Sequence, residues 1–153
     1  MSKVAILLGS PSDEKYITDS FSYFEYFGIE KEVHFLSAHR NPHEVGEFAK
    51  NARKNGFSAL IGGAGMAAHL AGALAAHSDL PILGVPMPGG ISDGLDALLS
   101  TVQMPKGVPV ATFAVGKAGM INAAIFAAQM LSLTDETIAA KLVEFKKNSC
   151  KIG

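Results

Sequence analysis

The sequence has one cysteine, no tryptophan and few charges. Of its 153 residues only 18% are charged, and Cys150 is the sole cysteine. A single cysteine cannot form an intrachain disulfide, a redox pair or a thiolate zinc cage. We therefore expect a protein of a reducing compartment, the cytoplasm.

Long hydrophobic runs and basic stripes are also missing. The apolar run at residues 4–8 is too short for a signal peptide or a membrane span, so no membrane partner is expected. Lysines and arginines are scattered and the formal net charge is -1 at pH 7, which argues against a nucleic-acid partner. The apolar fraction of 48% is high for so few charges, and this favours a homo-oligomer.

Apolar runs alternate with helical patterns along the chain. Helical patterns end at Gly28, at Gly56 and near His77, and others are predicted at 93–102, at 118–131 and after Asp135. Crossovers of this length require parallel strands. The sequence thus predicts one domain over residues 1–153, an α/β three-layer αβα sandwich with a flavodoxin- or Rossmann-like parallel sheet. Its five strands are expected at residues 4–8, 32–36, 59–61, 81–86 and 109–115.

Polar or glycine-rich turns follow the first three predicted strands, at residues 9–13, 37–42 and 62–70. The carboxyl ends of parallel strands meet at one edge of a sheet, and ligands of open α/β folds bind there. We therefore expect the three turns to form one site.

The first two turns offer groups for a phosphorylated ligand. Ser10, Ser12, Ser37 and Arg40 can bind an anion, and the Asp13 carboxylate can accept ribose hydroxyls. Helix capping by the first turn is an equally good explanation of its serines and aspartate. The turn contains neither a Walker A loop nor a Gly-x-Gly-x-x-Gly pattern.

His39 is the candidate proton carrier, because an imidazole exchanges protons near neutral pH.

The third turn can supply a backbone cradle at Ala64 and Gly65, although tight helix-to-sheet packing would also explain its small residues. His69 in that turn is ambiguous. No metal site is predicted, since the histidines lack ligand spacing. The residues alone predict proton transfer on a ribose phosphate compound and leave the reaction open. The remaining histidines, His34, His43 and His77, are expected on the surface or at helix ends.

Five ordered motifs resemble the class I 5-(carboxyamino)imidazole ribonucleotide mutases of purine biosynthesis over nearly the whole chain. They are Gly9-Ser10-x-Ser12-Asp13, Ser37-Ala38-His39-Arg40-x-Pro42, Gly63-Ala64-Gly65-x-Ala67-Ala68-His69-Leu70, Leu80-Pro81-x-x-Gly84-Val85-Pro86 and Val102-Gln103-Met104-Pro105-x-Gly107-Val108-Pro109-Val110. The Ser-Ala-His-Arg and Ala-Ala-His-Leu forms resemble this class more than the class II enzymes, which carboxylate aminoimidazole ribonucleotide directly with CO2.

The resemblance implies that a carboxyl group migrates from the exocyclic nitrogen of the substrate to C4 of the imidazole, with no metal, ATP or other cofactor. His39 would be the general acid and base, and His69 would support it. Members of the family are octamers, which would make the apolar segment 87–108 a subunit contact that helps to close the site. The substrate-binding residues implied by the resemblance are Ser10, Ser12, Asp13, Ser37, Ala38, Arg40, Ala64, Gly65 and Leu70.

Two departures from the family pattern stand beside the third turn. Met66 replaces the usual glycine and Ala71 a frequent proline. We expect Met66 to be filler at a helix interface rather than a wall of the cradle. Two alternatives to the mutase stay open, a class II carboxylase and a non-catalytic ribonucleotide-binding module.

Overall fold

Five parallel strands form one sheet in the order β2-β1-β3-β4-β5. The structure is a computed structural model that describes residues 1–153. Helices cover both faces of the sheet, so the predicted flavodoxin-like α/β fold is confirmed. The strands are β1 (Lys3–Leu8), β2 (Glu30–Phe35), β3 (Phe57–Ala64), β4 (Ile82–Pro86) and β5 (Ala111–Thr112).

Six α-helices accompany the strands, and none is both long enough and apolar enough to cross a membrane. Two short 3-10 turns, Pro11–Tyr16 and Thr18–Ser20, precede the first helix, where the sequence indicated one continuous helical stretch. The helices are α1 (Phe21–Phe27), α2 (Pro42–Asn51), α3 (Leu70–His77), α4 (Leu95–Val102), α5 (Lys117–Leu131) and α6 (Glu136–Lys147).

The strand β1 lies inside the sheet, between β2 and β3, and is buried on both faces, which explains its unbroken apolar run. Side chains alternate across a strand, so Ile6 and Leu8 face the core formed with α1, α5 and α6. Ala5 and Leu7 face the second core, formed with α2 and α3. Each face of the sheet therefore has its own hydrophobic core.

Several helix ends agree with the sequence signals. Gly28 follows α1 with φ of 73°, the left-handed conformation that glycine adopts most readily at a helix end. Asp135 caps α6, because its carboxylate accepts hydrogen bonds from the backbone N–H groups of Thr137 and Ile138 at 2.9 and 3.1 Å.

The boundaries near the carboxyl edge differ from the prediction. The fifth strand shrinks from 109–115 to Ala111–Thr112, and its later start follows because Pro109 has no N–H for the ladder. The helix expected from residue 93 begins at Leu95, because Ser92 and Asp93 have φ of 48° and 55° and cannot continue a right-handed helix. Residues 62–64, predicted as a turn, belong to β3.

Two glycines inside helices give a matched stability test. A methyl group on Gly119 would overlap the carbonyl oxygen of Ala114, whereas one on Gly46 would lie 3.4 Å from the exposed His77 ring, an ordinary contact. We expect Gly119→Ala to lower the free energy of unfolding by roughly 3 kcal/mol, at the upper end of overpacking costs. Gly46→Ala should raise it by up to about 1 kcal/mol, because alanine favours helix.

Urea unfolding of the two variants beside the native protein measures both changes. Equal stability of Gly119→Ala and the native protein would contradict the close approach of α5 to the turn that precedes it.

Candidate active site

A cavity of about 560 Å³ opens at the carboxyl edge of the sheet, between the turns that follow β1, β2, β3 and β4. The predicted gathering of the turns is therefore observed. The structure brings together all of the candidate site residues named from the sequence, although their roles stay predictions. The cavity is lined by Ser10, Ser12, Asp13, Ser37, Ala38, His39, Arg40, Ala64, Gly65, His69 and Leu70, together with Gly9, Pro11, Met66, Ala67, Pro88 and Gly89.

The turn after β1 both caps a 3-10 helix and faces the cleft. The Ser10 Oγ accepts a hydrogen bond from the Ser12 N–H at 3.3 Å and lies 2.8 Å from the Ser12 hydroxyl. Capping and ligand binding are thus compatible here, because the two hydroxyls still line the cavity. The adjacent Asp13 is half-buried, and this burial raises the pKa of its carboxyl, an effect that the Lys15 charge partly offsets.

The turn after β2 is held by its own polar groups. The Ser37 hydroxyl accepts from the Arg40 N–H at 3.2 Å, and the Asn41 side-chain oxygen accepts from the Ser37 N–H at 3.2 Å. Asn41 was not singled out from the sequence, and its place at the start of α2 was the available signal. The Arg40 guanidinium is exposed and has no ion-pair partner in the chain, so it can receive an anion.

His39 and His69 form a hydrogen-bonded pair. The Nε2 of His39 lies 2.7 Å from the Nδ1 of His69, and the ring planes meet at 74°. One of these nitrogens must carry the proton and the other the lone pair. Both rings are exposed and line the cleft, so His69 lies with the other candidate site residues.

The small residues 62–65 serve two purposes. Some make room for close packing, and others line the cleft. A methyl group on Gly62 would lie 3.0 Å from the Ala71 backbone, and one on Gly63 would lie 2.7 Å from the Met87 side chain. Gly62 therefore allows α3 to pack closely on the sheet, whereas Gly63 leaves room for the Met87 side chain. Ala64 and Gly65 line the cleft, as the cradle interpretation expected.

Met66 is not packed at a helix interface, so its interpretation as filler is wrong. Its side chain is 67% exposed, lines the cleft, and stands on a backbone with φ of 54°. The available signal was the glycine that the family usually has at this position, because glycine adopts a positive φ most readily.

The other histidines lie outside the cleft. His34 is half-buried with its ring 4.7 Å from that of Phe48, and its Nε2 lies 3.2 Å from the Glu32 carboxylate. His43 and His77 are exposed, as expected. A second, more open cavity of about 420 Å³ includes His77 but none of the candidate site residues.

The fold and the cleft are those of an α/β protein whose polar groups, among them a hydrogen-bonded imidazole pair, gather at the carboxyl edge of the sheet. The AIR carboxylase family model matches residues 3–151. The chain belongs to this family.

Relatives share most of their length with this chain. It is 47% identical over 144 residues to N5-carboxyaminoimidazole ribonucleotide mutase of Brucella melitensis, covering 94% of this chain and 89% of that one. It is 43% identical to the mutase of Escherichia coli K12, covering 95% and 86% of the two chains. Among solved structures, Treponema denticola PurE superposes with a TM-score of 0.87 at 27% identity, covering 97% of this chain and 92% of that one.

The raised pKa of Asp13 gives a pH-dependent prediction. A folded-state pKa above the ordinary value of 3.8 means that the protonated carboxyl favours folding, and this contribution is lost as pH rises through the folded-state pKa. Asp13→Asn cannot ionise, so at neutral pH the variant should be more stable than the native protein. The difference should vanish below the ordinary pKa. Its affinity for ribose 5-phosphate should fall, because one acceptor oxygen is lost.

Urea unfolding across this pH range and ligand titration measure the two effects. Asp135→Asn is the control, because asparagine caps a helix as well as aspartate does and Asp135 lies outside the cleft. A native protein that is the more stable of the two at neutral pH would contradict the assignment.

Proposed function

We propose that this chain, acting as one domain over residues 1–153, converts 5-(carboxyamino)imidazole ribonucleotide to 4-carboxy-5-aminoimidazole ribonucleotide in purine biosynthesis. The observation that carries the proposal is the His39–His69 pair, set in a cleft with serine, arginine and aspartate groups suited to a ribose phosphate. The proposal is supported by relatives at 42–47% identity that are named as this mutase.

The substrate phosphate binds at the turn after β2. Arg40 supplies a free guanidinium and Ser37 a hydroxyl, and the ten-residue helix α2 starts directly behind them at Pro42. The unpaired N–H groups of a helix start add to the attraction for an anion. Asp13 accepts the ribose hydroxyls, and Ser10 and Ser12 complete this end of the pocket.

His39 performs both proton transfers. It gives a proton to the exocyclic nitrogen as the N–C bond to the carboxyl group breaks and CO2 leaves. The C4 carbon of the imidazole then attacks CO2, and His39 takes up the C4 proton, so the reaction consumes and releases no net proton. His69, 2.7 Å away, holds the ring of His39 and fixes which nitrogen bears the lone pair.

The freed CO2 must meet the ring again before it escapes. Ala64, Gly65 and the buried Leu70 form a wall of small and apolar groups beside the imidazole pair. Such a wall offers CO2 no water and little space to diffuse, and this proximity raises the chance of recapture.

A direct carboxylase acting on aminoimidazole ribonucleotide and CO2 is the second candidate, because the matching family model is described as AIR carboxylase. The names of the relatives favour the mutase over the carboxylase and over a non-catalytic binding module. The two enzymes differ in the substrate that they consume when bicarbonate is scarce.

The assay follows freshly prepared 5-(carboxyamino)imidazole ribonucleotide by ultraviolet absorbance at low bicarbonate. The native protein should convert it, and His39→Asn should lose about 10²- to 10⁴-fold in turnover, the usual contribution of a positioned acid–base group. Ribose phosphate binding should persist in the variant.

His77→Asn is the matched control, since His77 is exposed and lies outside the cleft. Equal rates for native protein and His39→Asn would exclude His39 as the proton carrier. Product formed only from aminoimidazole ribonucleotide and abundant CO2 would instead assign the carboxylase.

The proposed enzyme is an octamer of the cytoplasm. Leu95, Leu99 and Val102 are 47%, 51% and 46% exposed, and their spacing places these apolar side chains on one face of α4. This helix lies in the segment between β4 and β5 that includes the cleft residues Pro88 and Gly89. The single, unpaired Cys150 is suited to a reducing compartment.

Leu99→Asp should break the assembly, because it places a charge in a contact made of apolar side chains. Sedimentation equilibrium should show an octamer for the native protein and smaller species for the variant. Val143→Asp on α6 is the control, since Val143 is a similarly exposed apolar residue, at 56%, on another helix. A native monomer, or an unchanged octamer in Leu99→Asp, would contradict the role of this face.

A further inference from the structure

Met66 has a backbone conformation that its side chain does not favour. Its φ is 54°, in the left-handed region where residues other than glycine, asparagine and aspartate are uncommon and a bulky side chain is strained. A strained residue persists only where its surroundings hold it in place, and such residues cluster at functional sites.

Contacts from two directions hold this backbone. The Met66 carbonyl accepts a hydrogen bond from the Ala68 N–H at 2.9 Å, within the turn. The Ser100 hydroxyl of α4 lies 3.4 Å from the same oxygen. The hydrogen bond within the turn is the stronger restraint, because the Ser100 hydroxyl donates chiefly to the Asp96 carbonyl at 2.6 Å and adds only a long contact from a residue 34 positions away.

Packing in the hydrophobic cores does not explain the methionine side chain at position 66. The Met66 side chain is 67% exposed, so it fills no gap in either core. It does line the cleft, next to Gly65 and within the turn that ends at His69. The consequence of the strained backbone is thus to place a flexible apolar group at the cleft instead of in the interior.

We propose that the Met66 thioether covers the open side of the cleft beside the imidazole pair and slows the escape of CO2. The inference rests on the proposed mutase activity, in which the N–C bond breaks before the new C–C bond forms. In that interval CO2 is free and the exposed rings of His39 and His69 leave it a path to solvent. A long, unbranched apolar side chain adapts to the bound nucleotide and excludes water from this path.

Isotope retention tests the proposal. Substrate labelled with ¹³C in the carboxyl group is converted in excess unlabelled bicarbonate with carbonic anhydrase, which hydrates any CO2 that escapes. The mass of the 4-carboxy product then reports the retained label. Met66→Gly should lose the label about 10-fold more often than the native protein. This factor is at the low end of the effects seen when an apolar group is removed from a pocket. Met66→Leu should retain label as the native protein does, because it restores an apolar side chain of similar size.

Two controls separate this role from a structural one. Met66→Gly should unfold at a urea concentration no lower than the native protein, because glycine relieves the positive φ. Ser149→Gly, at an exposed position with φ of 56° outside the cleft, relieves a similar restraint and should leave retention unchanged.

The outcomes are distinguishable from those of the mutase proposal. Native conversion with equal label retention in Met66→Gly would overturn the role of Met66 and leave the mutase standing. Equal losses of the ¹³C label in Met66→Leu and Met66→Gly would also overturn it. A marked fall in the free energy of unfolding of Met66→Gly would overturn it as well. No conversion by the native protein would refute the mutase and this inference together.

Discussion

Two helices that border the cleft pack closely on glycines of the sheet, α3 on Gly62 of β3 and α4 on Gly84 of β4. A methyl group on Gly84 of β4 would lie 2.5 Å from the Thr101 side chain of α4, and one on Gly62 would lie 3.0 Å from Ala71 of α3. Real Cβ atoms essentially never show a 2.5 Å contact and seldom show one of 3.0 Å, so at these two positions the helices pack directly on the backbone of the sheet. Because His69 directly precedes α3, a helix held farther from β3 would withdraw this imidazole from His39. Gly62 thus helps to position His69, although it does not line the cleft itself.

The imidazole pair joins two parts of the chain that share no local structure. His39 belongs to the turn after β2, at one edge of the sheet, and His69 to the turn after β3, with β1 between the two strands. The 2.7 Å distance between His39 Nε2 and His69 Nδ1 therefore depends on the positions of two loops that pack independently. The hydrogen bond requires one donor nitrogen and one lone pair, so two fully protonated rings could not keep it. The pair is suited to holding one mobile proton, which is what alternating donation and uptake by a single group requires.

Much of this arrangement could be predicted from the sequence because it follows from local rules. Unbroken apolar runs mark strands buried on both faces, and Gly28 and Asp135 mark helix ends. The shared edge of parallel strands then gathers the turns. The pairing of His39 with His69 could not be predicted in this way, because it depends on a contact between segments about 30 residues apart. The start of α4 was misplaced for a similar reason, since nothing in the types of Ser92 and Asp93 requires a left-handed backbone.

For the proposed substrate, the few charges of the cleft favour one orientation of the nucleotide. Arg40 is the one guanidinium in the lining and Asp13 the one carboxylate, and they lie on different turns. A phosphate is attracted to Arg40 and repelled by the ionised form of Asp13, whereas ribose hydroxyls can donate to that carboxylate. With both ends of the ribose phosphate assigned, the base can extend only toward the remaining walls of the cleft, made by the imidazole pair and the small residues after β3. In the proposed mechanism the two opposite charges would therefore do more than bind the substrate, because their separation would direct its reactive ring to His39.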